Sequence, residues 1–251
     1  MGDKFFFLKK LIFVFSFLVI FSAGAAAQDF ANVWDINRLS KTNDSSVTLK
    51  NKKNTVLKTV STSQLRLIVE VFSNISEASE LSAELILVEG NQPNAFAGPI
   101  KGSNTVGVNF AMLDMLKFDS HEWAAVLGHE MAHLKLDHYS NNLIRKVPLA
   151  ILSTVLKIKT DHQKTIRDSE IIMNLFDTKF SRDQERESDY LGAIWSVESD
   201  YNAWGAVRVH EKLKDRTSNF TLPFLRSHPT SRERVKTLTQ LAERLNGQRM
   251  D

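Results

Sequence analysis

The chain has 251 residues, of which 43% are hydrophobic and 24% charged, with a formal net charge of +3. That is enough chain to bury a full core, and the charge balance gives no reason to expect a nucleic-acid partner. There is no cysteine, which excludes a disulfide framework, a thiolate zinc site, a nucleophilic thiol and a lipidated cysteine.

At the N-terminus, Lys4, Lys9 and Lys10 lead into an apolar run that ends in Ala25, Ala26 and Ala27. A basic start, an apolar centre and an A-x-A ending describe a secretory signal peptide. Residues 1–27 are therefore expected to be removed after Ala27, leaving an exported, periplasmic chain that begins at Gln28. The alternative is an uncleaved membrane anchor, for which the run is almost long enough. Cleavage removes three lysines and one aspartate, taking the net charge from +3 to about +1.

Residues 28–60 are polar and read as an N-terminal extension with little core of its own, ahead of one domain spanning 61–251. Leu65, Ile68, Phe72 and Ile75 recur at helical spacing. The run AELILVE suits a buried strand, and NTVGVNF alternates Val106, Val108 and Phe110 as a half-buried strand does. Gly98, Pro99 and Gly102 punctuate the loop expected between them. From about residue 111 the pattern is helical. Asp119 with Glu122, Ser181 with Gln184, and Thr230 with Glu233 have capping-box spacing at three helix starts. The apolar run 143–158, interrupted by Pro148, reads as a buried helix, with a membrane-touching segment as the alternative.

The pair His-Glu occurs twice, at His121-Glu122 and His129-Glu130. Side chains four apart on a helix share a face. His129 is followed at that distance by His133, whereas His121 is followed by Ala125. Only the second pair makes H-E-x-x-H: two imidazoles for one metal ion, with Glu130 about 100° around the helix, flanking the metal as a general base for water. Catalytic zinc takes three protein ligands. Leu136 and Tyr139 stand where a metzincin has Gly and His, so that class is excluded. The remaining source is a second helix, SRDQERESD, where Asp183, Glu185, Glu187 and Asp189 are available. Glu185 and Asp189 share a face, which allows a ligand with a supporting acid. Spacing alone leaves Glu185 and Glu187 open. His138, five residues beyond His133, points elsewhere on the helix and is given a structural role.

LGHEMAHLKLDH, FSRDQERESDYLG and LRSHPTSRERV together resemble the zinc peptidases related to HtpX, BepA and the CAAX prenyl endopeptidases, over about residues 60–240. The resemblance implies an α+β, mostly helical, zincin-like metallopeptidase domain with a small β-sheet edging the active-site cleft. It implies one zinc ion per chain, held by His129, His133 and Glu185. In the family motif S-R-x-x-E-x-x-A-D the first Glu is the third ligand, so Glu185 takes that place and Asp189 the supporting one, with Ser188 where Ala is usual. NAFAGP resembles the segment ahead of a substrate-facing strand, making Asn94, Ala95, Phe96 and Ala97 candidate substrate contacts, though the usual Gly-Gly after it is missing. His228, followed by Pro229 and Arg234, matches a His-Pro that the resemblance places facing the metal. Its role is open among an oxyanion donor, a group that fills zinc's fourth position at rest, and a loop residue. The expected activity is endopeptidase cleavage of extended or misfolded protein segments in the cell envelope, with protein or peptide substrates and association with envelope membrane proteins. The alternative is a chaperone-like protein on the same fold with little turnover.

Overall fold

The computed structural model describes residues 32–146, 175, 178–216 and 222–248. The expected leader at 1–27 and the apolar run beyond residue 146 lie outside the described residues. Among those described, no helix is long and apolar enough to cross a membrane.

The architecture is α+β and mainly helical. A four-stranded sheet has the order β1 (Val33–Asp35), β4 (Glu84–Val88), β6 (Ser103–Asn109), β5 (Ala95–Ile100). β4 and β6 are parallel, and the flanking pairs are antiparallel. Leu85 to Val88 are all buried, as expected for a central strand covered on both faces. A separate hairpin joins β2 (Ser46–Lys50) to β3 (Val56–Ser61). The polar N-terminal stretch is woven into the same core. It supplies β1, the short α1 (Ile36–Ser40), and the buried side chains Ile36, Leu49 and Val60.

The segment Ala95–Ile100, expected as loop because of Gly98 and Pro99, is a strand. Proline has no ladder N–H to donate, so it is tolerated where a strand has one neighbour only. β5 is that edge strand, with Pro99 opposite Asn104 of β6.

The helices are α2 (Thr62–Ser79), α3 (Phe110–Leu116), α4 (Ser120–Lys135), α5 (His138–Lys146), α6 (Arg182–Glu198), α7 (Trp204–Asp215), α8 (Pro223–Ser227) and α9 (Arg232–Gln248). α4 is central, packed against α2, α6, α7, β5 and β6. Its residues from Glu122 to Met131 carry apolar side chains on several faces, and Trp123, Ala124, Val126, Leu127, Met131 and Ala132 are buried. A helix apolar around most of its circumference is stable only inside a core, so its histidines are inside as well.

The first His-Glu pair bolts α4 to α7. Glu122 is buried, its carboxylate 2.6 Å from Lys212 Nζ and 3.3 Å from Arg208 Nε. His121 Nδ1 accepts the backbone N–H of Asn202 at 3.1 Å. Asp119 caps α4 through the Glu122 N–H, but Glu122 spends its side chain on the two cations rather than on a reciprocal cap.

Candidate active site

Two glycines let α4 and α6 approach closely enough for their side chains to converge on one point. A Cβ on Gly128 would stand 3.0 Å from the carbonyl oxygen of Gly192, and one on Gly192 would stand 2.8 Å from the backbone nitrogen of His129. Only backbone with no side chain fits such a crossing. His129 adjoins this contact, His133 lies one turn further along α4, and Glu185 lies about two turns before Gly192 on α6. Ser181 starts α6 with a complete capping box to Gln184, which fixes the helix register and hence the direction of Glu185.

His129, His133, Glu185 and His228 are all buried, and one donor atom from each lies within 4.8 Å of the other three. His129 Nε2 is 3.0 Å from His133 Nε2, 3.2 Å from His228 Nδ1 and 3.6 Å from Glu185 Oε2. Glu185 Oε1 is 3.4 Å from His133 Nε2 and 3.0 Å from His228 Nδ1. Four donors each about 2.05 Å from one ion span a tetrahedron with edges of about 3.3 Å, and these separations scatter around that length. Asp189 Oδ1 lies 3.0 Å from His129 Nδ1, so that nitrogen carries the proton and Nε2 turns a lone pair toward the other three groups. A converging set of imidazole nitrogens and a carboxylate fits zinc.

The surroundings hold these groups in place. Arg234, buried, grips Asp189 through two nitrogens and reaches Glu185 Oε2 through a third. Burial alone would raise both carboxyls. The Arg234 charge and the hydrogen bond from His129 hold Asp189 well below the usual carboxylate range, and His228 and Arg234 do the same for Glu185. Burial lowers His133 well below the ordinary histidine value. His228 is raised, because Glu185 and Glu130 outweigh its burial. Its ring is sandwiched between Phe180 and Phe224, with centroids at 5.2 and 4.6 Å, and Phe180 also stacks on His133 at 3.8 Å.

Glu130 differs from every other acid here. It is wholly buried and neither carboxylate oxygen has a hydrogen-bond partner. Burial raises its pKa, against His228 and His129, and the nearest counter-group is His228 Nε2 at 3.4 Å.

The structure thus brings His129, Glu130, His133, Glu185, Asp189 and His228 to one centre. Of the two carboxylates left open by spacing, Glu185 points into it and Glu187 faces α5. Two expectations need correcting. His138 does not point away: α4 ends at Lys135, and Asp137, at φ 50°, reverses the chain so that His138 returns with Nδ1 2.9 Å from His133 Nδ1. The cap of α9 is Ser231, which accepts from the Arg234 N–H at 3.0 Å, whereas Thr230 contacts His210 Nδ1 at 3.2 Å. Asn94, Ala95, Phe96 and Ala97 lie at and just before the edge strand and are buried, with Leu175 packed against Phe96 and Gly98. Sequence reasoning passed over Phe180 and Phe224, which carry no chemical signature of their own.

The description Peptidase family M48 matches residues 57–242 of this chain. Three curated relatives are mitochondrial metalloendopeptidases called OMA1. The Arabidopsis thaliana protein is 30% identical over 167 residues, 66% of this chain and 33% of its own length. The Saccharomyces cerevisiae protein is 27% identical over 134 residues, 49% and 37% of the two lengths. The Danio rerio protein is 27% identical over 185 residues, 67% and 37%. The chain therefore spans about a third of the length of these relatives. Since the match runs from the start of β3 into α9 and takes in every residue of the buried centre, this protein belongs to peptidase family M48.

Proposed function

We propose that this protein is a zinc-dependent endopeptidase that hydrolyses peptide bonds in extended or misfolded proteins of the cell envelope. Glu130 carries the reading. A buried carboxylate with no hydrogen bond is costly and has no structural use here, but it suits a base that waits for a water molecule beside a metal. His129, His133 and Glu185 hold the ion, which when bound supplies the Lewis acidity that polarises the scissile carbonyl and acidifies water. Glu130 accepts a proton from the attacking water and delivers it to the leaving amine. Its raised pKa suits both halves of that transfer. Asp189 keeps the His129 lone pair aimed at the centre, and Arg234 keeps Asp189 and Glu185 ionised and fixed.

His228 closes this centre at rest. Its Nδ1 takes one corner of the donor set while Nε2 stands at Glu130, so one ring blocks both the open position and the base. Rotated out of that corner, the same imidazole serves as a donor to the carbonyl oxygen as it gains charge. Substrate pairs as an extended strand along β5 at Asn94 to Ala97. The edge position of β5 supports this, and Leu175, packed against Phe96 and Gly98, must yield for it to happen. Export rests on the leader-like residues 1–27, and an intact mass that begins at Gln28 is the expected result. The OMA1 relatives are themselves mitochondrial metalloendopeptidases.

Zinc content and cleavage of an unfolded model protein test the reading in two variants. Glu130→Gln should retain zinc and lose hydrolysis, while Glu185→Ala should lose zinc. Zinc retained with cleavage intact in Glu130→Gln refutes the mechanism, and zinc retained in Glu185→Ala refutes the ligand set. Full-length binding of unfolded protein without turnover in the wild type would favour a chaperone-like role instead.

A further inference from the structure

The contact between His133 and His138 joins two Nδ1 atoms at 2.9 Å. One nitrogen must donate and the other accept, and the choice decides what His133 offers to the centre. If His138 donated, His133 would carry its own proton on Nε2, aimed at the other donors, and could not bind a metal. His138 Nε2 would then be an unprotonated nitrogen facing a carboxylate oxygen, Glu187 Oε2, at 3.2 Å. Two acceptors at that distance repel. If His133 donates, each contact has one proton: His133 Nδ1–H to His138 Nδ1, and His138 Nε2–H to Glu187 Oε2. His133 Nε2 is then free to present its lone pair. The carboxylate on the far side of His138 therefore sets the tautomer of the ligand.

We propose that His138, held by Glu187, is a positioning residue that keeps His133 in the tautomer whose Nε2 faces the metal. Geometry supports more than a packing role. His138 is buried while the Glu187 side chain is 60% exposed, so the line runs from the centre to the surface of α6. Asp137, in the left-handed region at φ 50°, gives up an ordinary backbone conformation to return His138 to this place. His129 has the matching arrangement on its other side, with Asp189 as acceptor and Arg234 behind it. The two imidazoles are thus oriented by two independent acid-backed contacts, both from α6.

The proposal rests on the metal-centre reading, and zinc affinity, measured by competition with a chelating dye, separates the two. Wild-type protein should bind one zinc ion, and binding none would refute the centre itself. His138→Leu removes the acceptor for His133 Nδ1–H and should weaken zinc binding about 10–100-fold. His138→Asn places Oδ1 where Nδ1 stood and should return affinity to within about threefold of wild type. A purely structural histidine predicts the reverse order, since leucine fills the buried space better than asparagine. Equal affinities for the two variants, or a His138→Leu protein that binds like wild type, would overturn the proposal while leaving the centre intact. Circular dichroism of the zinc-free proteins checks folding. If His138→Leu does not fold, Glu187→Ala decides: at its exposed position it leaves the core untouched and should weaken zinc binding by about threefold or more, and wild-type affinity would overturn the relay.

Discussion

Lowering the pH from 7 to 5 puts a proton on His210 in the unfolded chain but not in the folded one. His210 lies in α7, buried, with Nδ1 facing Thr230 Oγ1 at 3.2 Å. Burial lowers its pKa from 6.5 to about 4, with Arg234 and His129 pushing the same way and Asp189 and Glu185 opposing. The folded state therefore binds fewer protons than the unfolded state between about pH 6.5 and pH 4, and stability must fall with pH across that window. The two pKa values give a loss of about 0.2 kcal/mol at pH 7 and about 2 kcal/mol at pH 5, rising to about 3 kcal/mol once the pH is below both. A zinc ion nearby would depress the folded value further, which hardly changes the figure at pH 5 because His210 is already almost unprotonated there. Urea unfolding at pH 7 and pH 5 of wild type and His210→Gln isolates the contribution, since carboxylates and zinc release act on both proteins alike. The wild type should lose about 2 kcal/mol more than the variant over that interval, or about 4–8 °C in melting temperature for a chain of this size. Parallel losses in the two proteins would show that His210 is not held neutral, and that the loop carrying Thr230 and His228 is less tightly packed on α7 than described.

Two further outcomes follow from the site. Gly192→Ala gains about 1 kcal/mol of helix propensity but drives a methyl group against the His129 backbone, and overpacking of about 1–3 kcal/mol or more should win. Melting temperature and zinc affinity should fall together, and wild-type values of both would show that the α4–α6 crossing has slack. His228→Ala opens the fourth corner and frees Glu130, so cleavage of a short peptide should rise with zinc retained. A fall of about 10²–10³ in kcat would instead make the oxyanion contact its dominant role.

What was legible in the sequence was whatever lies within one helical segment. His129 and His133 share a face because four residues nearly complete a turn, and Glu185 and Asp189 do so for the same reason. Ser181 declares its cap three residues before Gln184. Such segments give the helices, whereas the α+β zincin-like class rests on the family resemblance; β5 departs from expectation because Gly98 and Pro99 are loop signals except on an edge strand. His138 departs from expectation for a related reason: five-residue spacing from His133 puts it on another face only if the helix continues, and α4 ends at Lys135. A left-handed aspartate, unlike a left-handed glycine, does not announce itself.

The remaining contacts cross between segments, and that is why spacing could not supply them. α4 provides His129 and His133, α6 provides Glu185, Glu187 and Asp189, and the α8–α9 region provides His228 and Arg234. Each of the converging side chains contacts a group from a different segment: His129 meets Asp189, Glu185 meets Arg234, and His133 meets His138 across the turn into α5. Gly128 and Gly192 are ordinary helical glycines until the two helices cross. Breaking any one of these pairs leaves a buried charge or an untethered imidazole, which costs far more than the pair contributes by itself. The centre therefore assembles only when the three segments dock. On the proposed reading, a metal ion added to the folded chain would find its ligands already aimed, and binding them would in turn lock α4, α6 and the α8–α9 region together.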